Sequence, residues 1–184
     1  MRVITGIYKG RSLATVPNNS VRPVTDRVKG TIFNVLQNRL DLGGASVLDL
    51  FAGSGSLGFE ALSRGAGHVT FVDADRSALD VLEENAAHLG CEADCDIIDD
   101  DAVAFLGRGR GEYDLIFADP PYAWMGIAAL PEAIMTRRLL KKEGFLIIEH
   151  SKQAAFDPSD AFHAAACKEF GNTRVTFFTH PDQP

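Results

Sequence analysis

Val47-Leu48-Asp49-Leu50-Phe51-Ala52-Gly53-Ser54-Gly55-Ser56-Leu57-Gly58 decides the reading of the chain, because an apolar run of strand length passes directly into a glycine turn and then into helix-forming sequence. Gly53, Gly55 and Gly58 fit G-x-G-x-x-G, in which missing β-carbons let backbone approach a ligand at the carboxyl end of a first parallel strand. Working outward from this stretch, short apolar runs alternate with amphipathic stretches from Gly43-Gly44 onward, the pattern of an α/β fold. Strands are predicted near Ser46 to Leu50, Val69 to Val72, Asp94 to Ile98, Tyr113 to Ala118 and Phe145 to Glu149, all parallel. Two more, Ala164 to Phe170 and Thr173 to Thr179, flank the turn sequence Gly171-Asn172 and read as a hairpin closing one sheet edge antiparallel. The expected fold is therefore Rossmann-like, with a seven-stranded, mostly parallel sheet whose last strand is antiparallel.

Upstream, Arg2 to Tyr8 and Ser12 to Val16 read as a hairpin turning at Lys9-Gly10, and Pro17 to Pro23 reads as a connecting loop. Val28, Ile32, Val35, Leu36 and Leu40 then recur at helical spacing from Asp26 to about Leu40, with Thr25 or Asp26 as N-cap. Gly30 lies inside that helix and costs about 1 kcal/mol relative to alanine. With 184 residues, 46% hydrophobic and 23% charged, the chain reads as one globular domain, residues 1–44 forming an extension and 45–184 the core. Its apolar runs are too short to cross a bilayer, and MRVITGIYKG lacks the apolar core of a secretory signal. Three cysteines, an odd number, fit a reducing cytoplasm.

The net charge of −7 hides an asymmetry. Residues 1–40 carry Arg2, Lys9, Arg11, Arg22, Arg27, Lys29 and Arg39 against Asp26 alone, a net of +6, leaving −13 for the remainder. Such a segment suits contact with a polyanion, or is a solvated basic face; charge alone leaves both open.

Asp73 follows Gly53 by 20 residues, at the end of the second strand, where an acid can take both ribose hydroxyls. Those features alone also fit NAD. Asp49 discriminates, since a carboxylate four residues before the first glycine repels a pyrophosphate and attracts a cation. S-adenosylmethionine carries a sulfonium, an α-ammonium and no phosphate, so it suits Asp49 and Asp73, with Phe51, Gly53 and Gly55 completing the turn and Asp119, after the fourth strand, a further cofactor contact. After the third strand, Asp101 is placed to accept from the adenine amino group and Ala102 to donate its amide. The structural alternatives are that Asp49 caps the turn and that Asp99, Asp100 and Asp101 form a solvated cluster capping the next helix.

Asp119-Pro120-Pro121-Tyr122 follows the fourth strand. Two prolines fix an extended backbone and remove two amide donors, leaving carbonyl groups to face a ligand. An exocyclic amine is a poor nucleophile because its lone pair is conjugated with the ring. Asp119 and the Pro120 carbonyl can each accept one N–H and aim that lone pair, while Tyr122 stacks on the base. Asp-Pro and Pro-Pro are also ordinary turn punctuation, but the position beside the glycine turn at the topological switch point favours catalysis. A base inside a helix cannot reach such a pocket, so the target is single-stranded, looped or flipped out. Trp124 reads as core or as a second stacking face, Cys91, Cys95 and Cys167 show no metal spacing with the five histidines, and His150 reads as a satisfied structural residue or as part of the pocket rim.

Together these residues resemble the bacterial RsmD family of 16S ribosomal RNA guanine-N2 methyltransferases, which modify guanine 966. The resemblance spans nearly the whole chain and is most specific in Arg2-Val3-Ile4-Thr5-Gly6, Gly10-Arg11, Arg22-Pro23-Val24-Thr25-Asp26-Arg27-Val28, Phe33-Asn34 and Leu57-Gly58-Phe59-Glu60-Ala61-Leu62-Ser63-Arg64-Gly65-Ala66. It implies a class I fold and S-adenosylmethionine as cofactor. It also implies a lid that brings Arg22, Thr25 and Arg27 near the site, and a small-subunit particle or assembly intermediate as substrate. Arg2, Lys9, Arg11, Arg27 and Lys29 are the candidate RNA contacts, and the chain is expected to act as a monomer. Val24, Gly30 and Asp100 depart from the family's usual threonine, glutamate and glycine. Adenine in DNA, a glutamine amide in protein, nicotinamide chemistry and a non-catalytic assembly role are the rival readings.

Overall fold

The structure, a computed structural model, describes residues 1–17, 25–109 and 111–183. The Pro17 to Pro23 loop reading, with Arg22 and Val24, falls almost wholly outside them. Seven strands form one sheet: β1 Ser46–Leu50, β2 His68–Asp73, β3 Cys95–Asp99, β4 Tyr113–Ala118, β5 Leu140–Ser151, β6 His163–Phe170 and β7 Thr173–Thr179. Their order is β3-β2-β1-β4-β5-β7-β6. Strands β1 to β5 run parallel, and β7 is antiparallel to both β5 and β6. The chain reverses its winding between β1 and β4, so the crevice at their carboxyl ends is the switch point where such sheets bind ligands.

Helices α1 Asp26–Leu36, α2 Ser56–Ser63 and α3 Arg76–Leu89 cover one face, packing Ile32, Phe33, Phe59 and Leu82 on Val47, Phe71 and Phe117. Helices α4 Ala102–Arg108 and α5 Leu130–Thr136 cover the other, with Leu106 and Ile134 against Leu48, Ile116 and Ile148. Strand side chains alternate between these two cores, which is why the central strands read as continuous apolar runs. No helix among the described residues is long and apolar enough to cross a membrane.

Three elements differ most from expectation, the first being β5, which runs Leu140–Ser151 where Phe145 to Glu149 is expected. Helix α1 stops at Leu36 instead of Leu40, because Gln37, Asn38 and Arg39 form a polar turn and Leu40 reaches the core from beyond it. The opening hairpin shrinks to one bridge, Arg2 with Ser12, since Thr5 to Gly10 turn instead of extending. That turn is fastened to the end of α2: Ile7 donates to the Ser63 carbonyl at 2.8 Å and Tyr8 to Ser63 Oγ at 2.9 Å.

Candidate active site

Past Leu50 the chain enters the turn through Phe51, whose φ of 56° is a left-handed conformation that a bulky side chain rarely takes. Its ring meets Trp124 edge-on at 5.0 Å, tying the loop after β1 to the loop after β4. The three motif glycines serve different ends. A β-carbon on Gly53 would meet nothing within 4 Å, whereas one on Gly55 would stand 2.5 Å from the Phe59 ring and one on Gly58 2.3 Å from the Phe71 ring. Gly53 is thus open toward a ligand, while Gly55 and Gly58 let α2 seat closely on the sheet and α3. Asp73 braces the turn, accepting from the Gly53 amide at 2.8 Å and from the Asp75 amide at 2.9 Å.

A cavity of about 260 Å³ opens here, lined among others by Met1, Phe51, Gly53, Asp73, Asp119 and Pro121. The ends of β1, β2 and β4 therefore bring four of the predicted cofactor residues and part of the tetrad to one wall. Asp49 stands just behind it, 3% exposed, with one oxygen on the Gly58 amide at 3.0 Å. Burial pushes its carboxyl up to about 8 against the opposing pull of that amide, and Asp73 raises it further. Such a group has a strong preference for a neighbouring cation.

Asp119 follows Ala118, which pairs with Leu50 on one side and Ile148 on the other. The next residue of β5 is Glu149, so Asp119 and Glu149 are neighbours on the face that also carries Asp49. Burial, then Glu149, then Asp49 hold the Asp119 carboxyl well above the usual range. Glu149 is itself pushed up to about 7 by burial, and its Oε2 is buried with no hydrogen-bond partner among the described residues. Sequence reading passed over Glu149; the available signal was a lone acid ending the apolar run Phe145 to Ile148 at a strand's carboxyl end. It also passed over Asn85, 1% exposed on the apolar face of α3, which holds Ala14 through both its backbone groups and the Ser54 carbonyl of the turn.

Other predicted residues lie elsewhere or are engaged differently. Asp101 accepts from the Val103 and Ala104 amides at 2.9 and 3.0 Å as the N-cap of α4, and neither it nor Ala102 is among the cavity's lining residues. Thr25 caps α1, accepting from the Val28 amide. The Pro121 carbonyl is not free, because it accepts the Trp124 amide at 2.8 Å and closes the turn. Tyr122, 58% exposed, is tied by its hydroxyl to Thr173 Oγ1 at 2.6 Å. Trp124 packs partly buried on the second core, and His150 is buried with both ring nitrogens bonded.

Lys29 overturns its reading as an RNA contact. It is fully buried, with Nζ on the Arg2 carbonyl at 2.6 Å, on Ser56 Oγ at 3.1 Å and 3.8 Å from Glu60. Arg11 spends its guanidinium on the His88 and Leu89 carbonyls, at the far end of an α3 about 21 Å long. Lys9, in the turn on Ser63, belongs to that far end too. Arg2 pairs with Asp26 at 2.9 Å, and Arg27 lies over the Phe170 ring at the tip of the β6–β7 hairpin, beside the site.

A glycine turn and an acid-proline tetrad meeting at the switch point of a seven-stranded sheet define a Rossmann-like, class I methyltransferase. The family described as Conserved hypothetical protein 95 matches residues 1–179, and the chain belongs to that family, the RsmD family. Among curated relatives it is similar to YlbH of Bacillus subtilis, 41% identical over 83% of this chain and 84% of that one. It is likewise similar to Ribosomal RNA small subunit methyltransferase D of Haemophilus influenzae, 34% identical over 83% of this chain and 79% of that one. Among solved structures, the yhhF protein of Escherichia coli superposes with a TM-score of 0.86 at 29% identity, covering 100% of this chain and 99% of that one. S-adenosylmethionine is the methyl donor expected from the sequence. The residues present suit that group: an open glycine, a ribose-ready Asp73 and a raised Asp49 behind the wall.

Proposed function

We propose that this chain transfers a methyl group from S-adenosylmethionine to the exocyclic N2 amino group of a guanine in 16S ribosomal RNA, acting as a monomer on a small ribosomal subunit or its assembly intermediate in the cytoplasm. The observation that carries the reading is that Asp119 and Pro121 line the same cavity as Gly53 and Asp73, so an amine acceptor and a methyl donor have adjoining seats. Family membership and the relative named as a small-subunit ribosomal RNA methyltransferase support the substrate class.

Phe51, Gly53 and Asp73 hold the cofactor, with Asp49 supplying a field that favours its positive charge. Arg22, Thr25, Asp101 and Ala102 are assigned to its outer contacts by the family resemblance, with Arg22 outside the described residues. S-adenosylmethionine, when bound, supplies an electrophilic methyl group on a sulfonium that leaves as a neutral thioether. Asp119 and the Pro120 carbonyl accept the amino hydrogens and turn the nitrogen lone pair out of conjugation, and Tyr122, anchored by Thr173, offers its ring to the base. The proton shed by the methylated nitrogen passes to Asp119, whose raised affinity for protons suits it to receive one. Arg2 and Arg27 supply phosphate contacts at this end.

The test is transfer of labelled methyl to small subunits lacking the modification, beside naked 16S RNA, DNA and protein acceptors, with mapping of the labelled atom. Label on guanine N2 supports the assignment. Label confined to adenine or glutamine moves the same tetrad to another substrate.

A further inference from the structure

Among the described residues, Glu149 is a half-buried acid at the carboxyl end of the sheet that neither the glycine turn nor the tetrad uses. Its Oε2 is shut from solvent and lacks a partner among the described residues, an arrangement that costs free energy unless a ligand completes it. Its place is fixed by register: Ala118 pairs with Ile148, so Asp119 and Glu149 sit side by side on strands about 4.8 Å apart. Two acceptors therefore stand next to one another, Asp119 on the cavity wall and Glu149 beside it on the neighbouring strand, outside the cavity's own lining.

We propose that Glu149 reads the target base, its free oxygen accepting the ring N1–H of guanine while Asp119 accepts from the adjoining amino group. The inference rests on the guanine N2 reading above and deepens it. Of the bases that carry an exocyclic amine, guanine alone places a ring N–H beside it. Adenine and cytosine place a ring lone pair there, which the ionised Glu149 carboxylate repels, so the discrimination belongs to pH above about 7, where Glu149 gives up its proton, and a glutamine amide offers no second donor group. A flipped base is read by hydrogen bonds to its pairing edge, and a donor–donor edge demands an acceptor–acceptor wall. Glu149 is thus a specificity residue that also fixes the ring so that Asp119 meets the correct hydrogen. No other carboxylate does this: Asp49 is held behind the wall by the Gly58 amide, and Asp73 is held by the Gly53 and Asp75 amides.

The experiment uses small subunits reconstituted with 16S RNA carrying either guanine or 2-aminopurine at the methylated position. 2-Aminopurine keeps the amino group, exchanges the ring N–H for a lone pair and also lacks O6, so the response of the preference to Glu149→Gln isolates the N1 contact. The wild-type protein is expected to prefer guanine by about 10- to 100-fold in kcat/KM, the range for losing one hydrogen bond to a charged group. Glu149→Gln replaces an acceptor by an amide able to donate to that lone pair, so the preference collapses or inverts while binding of S-adenosylhomocysteine and the melting temperature stay at wild-type values. Equal wild-type rates on the two bases overturn the role of Glu149 without touching the guanine assignment, and need no variant to fold. An undiminished preference in a folded Glu149→Gln protein overturns it as well. If the wild-type protein labels neither base, the N2 reading itself fails.

Discussion

Two groups of buried charge divide the labour in this molecule, and they are finished differently. Glu60, fully buried under the N-terminal arm, receives the Ile4 amide at 2.7 Å, Arg64 at 2.8 Å and Lys29 at 3.8 Å, while Arg64 also lies over Phe33 at 4.5 Å. Every charge there has a protein partner, and the network fastens the arm, α1 and α2 into one unit. Asp49, Asp119 and Glu149, on the same face at the carboxyl end of the sheet, have no cation among them within the described residues; one amide serves Asp49, and Glu149 Oε2 has no partner among those residues. Burial raises all three carboxyls, whereas Lys29 is lowered by burial with Glu60 acting against the shift. Charge that holds architecture is saturated from within, and charge that awaits ligands is left short of partners by a rigid frame.

The comparison is broken most severely at Asp119. Asp119→Ala is expected to lower kcat about a thousandfold, the scale for losing a main group that acts on the transition state, with a far smaller change in S-adenosylhomocysteine affinity and no loss in melting temperature. Single-turnover transfer with parallel calorimetry checks it. Next is Lys29→Met, which strips a partner from buried Glu60 and is expected to cost about 3 kcal/mol in denaturant unfolding, leaving kcat of the folded protein unaltered. A stable Lys29→Met with weakened RNA binding would instead restore Lys29 as an RNA contact. The smallest effect separates the two ends of the basic segment: Arg27→Ala weakens RNA binding a few-fold and reduces the salt slope by about 1, whereas Lys9→Ala changes neither.

The centre of the sheet was legible because its strands are buried on both faces, and runs such as Leu115 to Ala118 are apolar whatever lies around them. The glycine turn and the tetrad were legible for a related reason, since local backbone demands select unusual residues at fixed spacing. The arm was not. Lys29 read as a surface cation because length and charge do not reveal which carboxylate the fold brings over it, and the exposed Arg11 gave no sign of the carbonyls it meets. Glu149 was hidden by the same limit, as its meaning lies in register with Asp119, thirty residues away in sequence. Asp101 showed the opposite error: an acid before a helix is first a cap, and it caps α4.

Proton counting by calorimetry tests most directly whether the acids at the sheet end are finished by ligand charge. In the empty protein Asp49 holds its proton up to about pH 8, and a bound cation favours the carboxylate, so binding releases that proton and affinity rises as pH climbs toward 8. Titration of S-adenosylmethionine at pH 7 in buffers of different ionisation enthalpy is predicted to show release of roughly one proton, less for S-adenosylhomocysteine, which lacks the sulfonium, and nearly none in Asp49→Asn. Identical enthalpies in every buffer for the wild-type protein, with no change in affinity between pH 6 and about 8, would contradict the account.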